Sequence, residues 1–256
     1  MDRIGIVSAI AIVAFCLHPL GAGASRLTWG GGYSWSVGET SNVYVVDGVT
    51  LTVTINDLNT PPALDPNPEP LGSPGSPQTS NYIDPVGNGG GESLFIKAPG
   101  NSSGIEITVD FDALVSSVSY EIFDVDATGS SGLGDYIDVV QSVATDGATF
   151  FSPSSVTGSG SEVWTLQGDG QTIVAFENAD QTGGNSADGT ALWSFDVPLT
   201  SITISYDNND PVAGVQWISF SHIDFVETPE PSTGLLVGLG IVGLALRRRN
   251  ARRRLA

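Results

Sequence analysis

Asp124 and Asp126 stand two residues apart in the run Tyr120-Glu121-Ile122-Phe123-Asp124-Val125-Asp126. If that segment is extended, both carboxylates project from one face, because alternate residues of a strand share a side. Asp135 and Asp138 follow across a glycine-rich loop. Hard oxygen donors of this kind suit Ca²⁺, the one cofactor to which the residues point. The chain has neither the twelve-residue EF-hand loop nor a glycine-aspartate nonapeptide repeat, and the competing reading is a set of solvated turn aspartates. Two carboxylates at a fixed separation are also the machinery of glycoside hydrolysis, so a secreted glycan-active enzyme is the alternative function. Abundant acids do not by themselves define such a pair.

Other chemistry is thinly represented. His18 falls in the apolar N-terminal segment, His222 is the only other histidine, and Cys16 is the only cysteine. A Ser-His-Asp triad would have to pass through His222, whose strand-like surroundings favour a structural role. Gly89-Gly90-Gly91 lacks the lysine and following helix of a phosphate-binding loop. Trp29, Tyr33, Trp35, Trp164, Trp193 and Trp217 could stack on sugar rings, but in alternating strands large aromatics mainly fill cores. The glycine-interrupted stretch from Trp29 to Trp35 is the one expected to be exposed. A non-enzymatic role follows.

The ends carry stronger signals. Arg3 precedes an apolar run from Ile4 to Leu17 and then Ala22-Gly23-Ala24. This order is that of a cleavable signal helix, with Ala22 and Ala24 as the small residues read by signal peptidase and cleavage after Ala24. The run is shorter than the roughly 20 apolar residues of a stable span. Cys16 lies inside it, behind the bulky Phe15, which argues against a lipidated cysteine.

At the other end Pro229-Glu230-Pro231 is followed by an apolar, glycine-rich run over 234–246 and by Arg247, Arg248 and Arg249, with Arg252, Arg253 and Arg254 beyond. The prolines remove amide donors and favour an extended backbone ahead of a single short transmembrane helix. The arginines hold its end on the cytoplasmic side and stop translocation. Pro68-Glu69-Pro70 repeats the triplet with no apolar run after it, so the order of the three blocks carries the information. That layout, over 228–256, resembles the PEP-CTERM sorting signal. The resemblance implies recognition by an exosortase, with cutting near Pro229-Glu230-Pro231, and a membrane-tethered precursor delivered to the cell surface or extracellular matrix. It also implies an association with exopolysaccharide and biofilm.

Between the two processing segments, residues 25–231 keep 27 of the 28 acids and only Arg26 and Lys97 of the nine bases, a formal charge of −25. Such a polyanion repels nucleic acid, whose binding needs clustered Lys and Arg. With no cysteine left, the core itself must stabilise the fold, and about 200 residues suffice for one domain.

Residues 25–227 read as an all-β ectodomain, an antiparallel two-sheet sandwich of jelly-roll type. Alternation predicts strands over Leu27 to Val37, Asn42 to Val46 and Val49 to Ile55, the last two joined at Asp47-Gly48 in a tight hairpin. Residues 56–92, dense in Pro and Gly, read as a surface insertion. Further strands are expected over Ser93 to Lys97, Gly104 to Phe111, Ser117 to Val125, Tyr136 to Thr145, Ala148 to Phe151, Glu162 to Gln167, Thr172 to Glu177, Ala191 to Val197, Ser201 to Tyr206 and Gly214 to Val226. Phe111 to Phe225 is loosely similar to the sandwich domains that precede PEP-CTERM tails, on Tyr120 to Asp126, Asp135-Tyr136-Ile137-Asp138 and Gln216 to Phe225. It implies architecture and no active site.

Overall fold

The computed structural model describes residues 23–30, 32–58, 78–80, 92–99, 104–128, 136–159, 163–176, 189–207, 215–228, 240–241 and 243–244. Residues 24–226 form one compact unit. The strands are β1 (Ala24–Leu27), β2 (Ser41–Val46), β3 (Val49–Asp57), β4 (Gln78–Ser80), β5 (Ser93–Pro99), β6 (Ile105–Phe123), β7 (Ala127–Thr128) and β8 (Tyr136–Ile137). They continue with β9 (Val139–Thr145), β10 (Phe150–Phe151), β11 (Ser155–Ser159), β12 (Trp164–Leu166), β13 (Thr172–Ala175), β14 (Thr190–Phe195), β15 (Leu199–Asp207) and β16 (Val215–Glu227).

The long strand β6 organises the fold. Its alternation Ile105, Ile107, Val109, Phe111 buries one side along its first half, and Val118, Tyr120 and Ile122 bury one side along its second. Between them the register with β15 slips, from Ser201↔Asp110 to Leu199↔Val115, and Ser117 takes φ 50, irregularities that bend a strand. Over the first half β6 pairs with β3 on one edge, from Leu51↔Phe111 to Asp57↔Ile105, and with β15 on the other. Beyond the bend β14 replaces β15, from Phe195↔Val118 to Ala191↔Ile122. The edge that β3 leaves after Phe111 goes to β16, and the Glu121 amide donates to Ser221 Oγ at 2.7 Å.

Two antiparallel leaves result. The larger runs β2-β3-β6-β15-β9-β13-β12, with β10 on β9; the smaller runs β11-β14-β6-β16-β5-β4, with β1 on β16. One cluster of buried residues draws on both leaves, among them Val53, Ile107 and Ile204 from the larger and Tyr120, Trp193 and Phe220 from the smaller. Phe111 and Phe225 meet across it with ring centroids 5.5 Å apart. The sandwich-like all-β architecture thus agrees with the sequence, but the two sheets expected as separate are leaves of one sheet, 14-stranded among the described residues. The break expected after Phe111 does not occur, because the bend at Ser117 lets one strand serve both leaves.

The hairpin at Asp47-Gly48 forms as expected. Both residues have positive φ, 50 and 93, and Val46 faces Val49, the geometry of a two-residue turn that matches strand twist. The strand expected over Leu27 to Val37 is instead only β1, which ends at Leu27. Gly30 (φ 89) and Gly38 (φ 80) turn the chain, and a small bridge joins Gly30 to Tyr33. The expected exposure of this stretch is likewise corrected: Trp29 and Trp35 are each 2% exposed. Trp29 packs edge-on against Tyr44 at 5.7 Å and donates its indole N–H to the Ser221 carbonyl at 2.6 Å. Trp35 donates to the Glu39 carbonyl at 2.7 Å. Loss of the ladder is offset by burial of two indoles whose N–H groups are satisfied.

Three smaller differences follow. The segment expected as one strand from Tyr136 to Thr145 is interrupted at Asp138, β11 adds an edge to β14, and the 56–92 insertion contributes β4 to the edge of β5. The signal helix and the transmembrane helix over 234–246 lie outside the described residues, except that Gly240, Ile241, Gly243 and Leu244 are helical. Among the described residues no helix is long and apolar enough to cross a membrane.

Two glycines at positive φ test the backbone argument. Gly48 has open space around a would-be Cβ, whereas at Gly189 (φ 75) that atom would lie 3.0 Å from the Val125 carbonyl oxygen. Gly48→Ala should therefore cost only the left-handed penalty of about 1–2 kcal/mol, and Gly189→Ala more, read as a larger drop in the urea midpoint. Equal drops would remove the close-approach argument.

Candidate functional site

Asp138 occupies the single-residue gap between β8 and β9, where the ladder is broken and the side chain turns inward. Its backbone is fixed on both sides. Its N–H donates to the Asp126 carbonyl at 3.1 Å, and its carbonyl accepts from the Ala175 amide at 3.0 Å. Its carboxyl oxygens are also engaged: Oδ1 accepts from the Tyr206 hydroxyl at 2.7 Å, and Oδ2 accepts from the Asp126 amide at 3.1 Å. Tyr206 comes from the last turn of alternation in β15 and is buried with Asp138 and Asp126. Burial pushes the Asp138 carboxyl well above the usual range, and the neighbouring Asp126 charge pushes it further; the Tyr206 hydrogen bond offsets part of this. Burial likewise raises the Tyr206 hydroxyl. Asp138 thus ties β9, β15 and the Asp126 loop together, in surroundings that favour the neutral form of its carboxyl.

The expected cation set is only partly assembled. Asp124 follows β6 with φ 68, Asp126 and Asp138 are joined as described, and Asp135 lies outside the described residues. Among the described residues no three of His, Cys, Asp and Glu are grouped to hold a metal. Both Asp138 oxygens already accept from the protein, which leaves it poorly suited to the several charged oxygen ligands that Ca²⁺ requires. The same burial keeps a sugar away from the Asp126 and Asp138 pair.

His222 belongs to a different group, on the outer side of the smaller leaf. Arg26 of β1 grips Asp224 of β16 with two bonds, Nε to Oδ1 at 2.6 Å and Nη2 to Oδ2 at 2.8 Å. His222 Nε2 lies 3.3 Å from the same Asp224 Oδ2. Burial lowers the His222 pKa and Arg26 lowers it further, while Asp224 and Glu121 pull the other way. Ser221, its neighbour in sequence, accepts from the Glu121 amide and donates to the His222 carbonyl, so its hydroxyl is not aligned on the imidazole. The arrangement is a clamp between the first and last strands, in agreement with a structural histidine.

Ala24 is the first residue of β1 and pairs with Val226, while Ala22 lies outside the described residues. Pro229, Glu230, Pro231, Arg247, Arg248 and Arg249 also lie outside them. Of the aromatics weighed as sugar platforms, Trp29, Trp35, Trp164 and Trp193 are buried and Tyr33 is partly so. Sequence reasoning missed Tyr206 as the partner of Asp138 and Arg26 as that of Asp224. Both are contacts between residues 68 and 198 positions apart, which no local pattern reports.

Because Asp138 binds its proton more tightly in the folded chain, its favourable contribution is fully present below the unfolded carboxyl pKa. It is lost as pH rises through the higher folded value. Urea midpoints should therefore fall as pH is raised from about 4, and fall less in Asp138→Asn, which keeps an acceptor for Tyr206. Tyr206→Phe leaves Oδ1 without its donor and should cost about 1–3 kcal/mol. A pH profile of Asp138→Asn that overlays the native one would show that Asp138 is ionised in the fold.

Among curated proteins none matches the sequence. Two solved structures are similar at 9% identity. One is the N-terminal domain of the Streptococcus gordonii adhesin Sgo0707, with a TM-score of 0.35 over 75% of this chain and 46% of that one. The other is a glycoside hydrolase family 43 arabinoxylan arabinofuranohydrolase from Bacillus subtilis in complex with cellotetraose, with a TM-score of 0.26 over 78% and 42%. The chain thus spans under half the length of either. The tail is matched by a family model: residues 227–249 are a PEP-CTERM protein-sorting motif, and that motif implies an exported, membrane-anchored precursor sorted by an exosortase to the cell surface.

Proposed function

We propose that this chain is a non-enzymatic structural or adhesive component of the cell surface and its exopolysaccharide matrix, as in a biofilm. The observation that carries the reading is the sorting motif at 227–249, which begins on the last residue of β16. Signal peptidase cuts after Ala24, so that Ser25 begins the mature chain within β1. The helix over 234–246 and Arg247, Arg248 and Arg249 then hold the precursor in the membrane until an exosortase cuts near Pro229-Glu230-Pro231. Processing removes seven of the nine bases and leaves the domain with its charge of −25. A surface this acidic stays soluble in a crowded matrix.

The test is the intact mass of the protein recovered from cells with and without the cognate exosortase. The expected species begins at Ser25, ends near Pro229-Glu230-Pro231 and lacks the arginines, whereas a variant with all three motif residues changed to Ala retains them. An arginine tail retained on native protein in exosortase-bearing cells would overturn the sorting step. Polysaccharide turnover abolished by a single carboxylate change would overturn the non-enzymatic role in favour of a glycan-active enzyme.

A further inference from the structure

The outer face of the larger leaf has an unusual composition for so acidic a chain. Leu51, Val53 and Ile55 of β3 are buried, so Thr50, Thr52 and Thr54 between them face outward. The same alternation turns Thr108 of β6, Thr203 of β15 and Val143 of β9 outward. Register lines these up across the strands. One row reads Ser41, Thr54, Thr108, Thr203 and Val143, and the next reads Val43, Thr52, Asp110, Ser201, Thr145 and Phe150. The second row crosses β2, β3, β6, β15, β9 and β10, about 24 Å at a strand spacing of about 4.8 Å.

Apolar groups are left in water along this face. Val43 and Val45 are 58% and 61% exposed at one margin, and Phe150 is 79% exposed at the other. Phe150 is not at the end of a loose loop. Asp146 Oδ1 accepts from the amides of Ala148 and Thr149 at 2.8 and 2.7 Å, Phe151 beside it packs against the core, and Phe150 sits directly opposite Thr145. The hairpin therefore holds the ring out on the hydroxyl-bearing side. Apolar side chains held in water at both margins of one hydroxyl-rich face point to an interaction surface.

Charge limits the partner. Asp110 is the single charged residue in the two rows, Glu106 and Asp112 flank them on the same face, and neither row holds a base. A polyanion would find no cation to pair with, a polycation would be drawn to the more acidic remainder of the chain, and a second copy of the processed domain would bring its own net charge of −25. A neutral partner fits. Sugar rings present C–H faces and a rim of hydroxyls, which match an aromatic ring, valine and threonine methyls and a field of hydroxyl donors and acceptors. We propose that the outer face of this leaf binds a flat, neutral polysaccharide, with Phe150 as the stacking residue at one margin. The inference rests on the matrix-associated role and gives that role its ligand class.

The test is depletion of the full chain, in detergent, by insoluble cellulose and curdlan as neutral polymers, with immobilised alginate as the polyanion. Retention by a neutral polymer and not by alginate is expected. Phe150→Ala and Thr203→Lys should each weaken it roughly fivefold to tenfold, while Leu192→Lys on the outer side of the smaller leaf leaves it unchanged. Urea midpoints equal to the native value show that the variants remain folded. Failure of both neutral polymers to retain the chain, or native-like retention of both variants on this face, would overturn the proposal. Self-association in sedimentation that Phe150→Ala abolishes would assign the face to a second copy and overturn it too. None of these results bears on tail processing, so the sorting reading stands or falls separately.

Discussion

A single strand joined to both leaves constrains everything else in this domain. Strand β6 supplies hydrogen-bond partners to β3 and β15 before Ser117 and to β14 and β16 after it. A 19-residue strand would normally make one wide, twisted sheet; the left-handed residue at Ser117 instead folds that sheet onto itself. The inner sides of both halves then face each other, and one continuous core replaces two half-buried surfaces. With no disulfide available, this shared burial is the main favourable term, at roughly 25 cal/mol per Å² of apolar surface removed from water.

Closure of the sandwich depends on chain ends that meet late. Strand β1 lies against the end of β16, from Ala24↔Val226 to Leu27↔Ile223, and Trp29 carries the contact into the core beside Phe220. The ion pair between Arg26 and Asp224 is exposed on the Arg side and adds little by itself. Its value is positional, since it fixes the register of a four-residue strand. The first residues of the domain thus find their place on its last strand, the one that leads into the sorting motif.

Polar groups inside the fold are arranged to spare the core an unpaired charge. Asp138 interrupts a ladder, yet its N–H, its carbonyl and both carboxyl oxygens are satisfied. Tyr120 and Ser142 share a buried hydrogen bond between the leaves in the same way. Edge strand β2 is protected by side chains: Asn42 Oδ1 accepts from the Val43 amide, and the hydroxyl of Tyr33, from the segment before the strand, donates to the Val45 carbonyl. Such capping discourages strand addition at that edge and leaves the outer face as the surface available to a partner.

Much of this was legible in the sequence where the signal is local. The order of Pro-Glu-Pro, apolar run and arginines defined the tail, because topogenesis reads linear order. Alternation defined β3, β9 and β15, because burial on one side of a strand repeats every second residue, and Asp47-Gly48 defined its turn through the positive φ that both residues tolerate. Tertiary structure alone decided the rest. Whether Phe111 to Val118 breaks or bends depends on strands whose paired residues lie 60 to 84 positions away in sequence. Trp29 and Trp35 are buried because Tyr44 and Phe220 wait for them, and Asp138 faces Tyr206 rather than water. Local pattern records which side a residue prefers; which partner stands on that side is set by the meeting of distant strands.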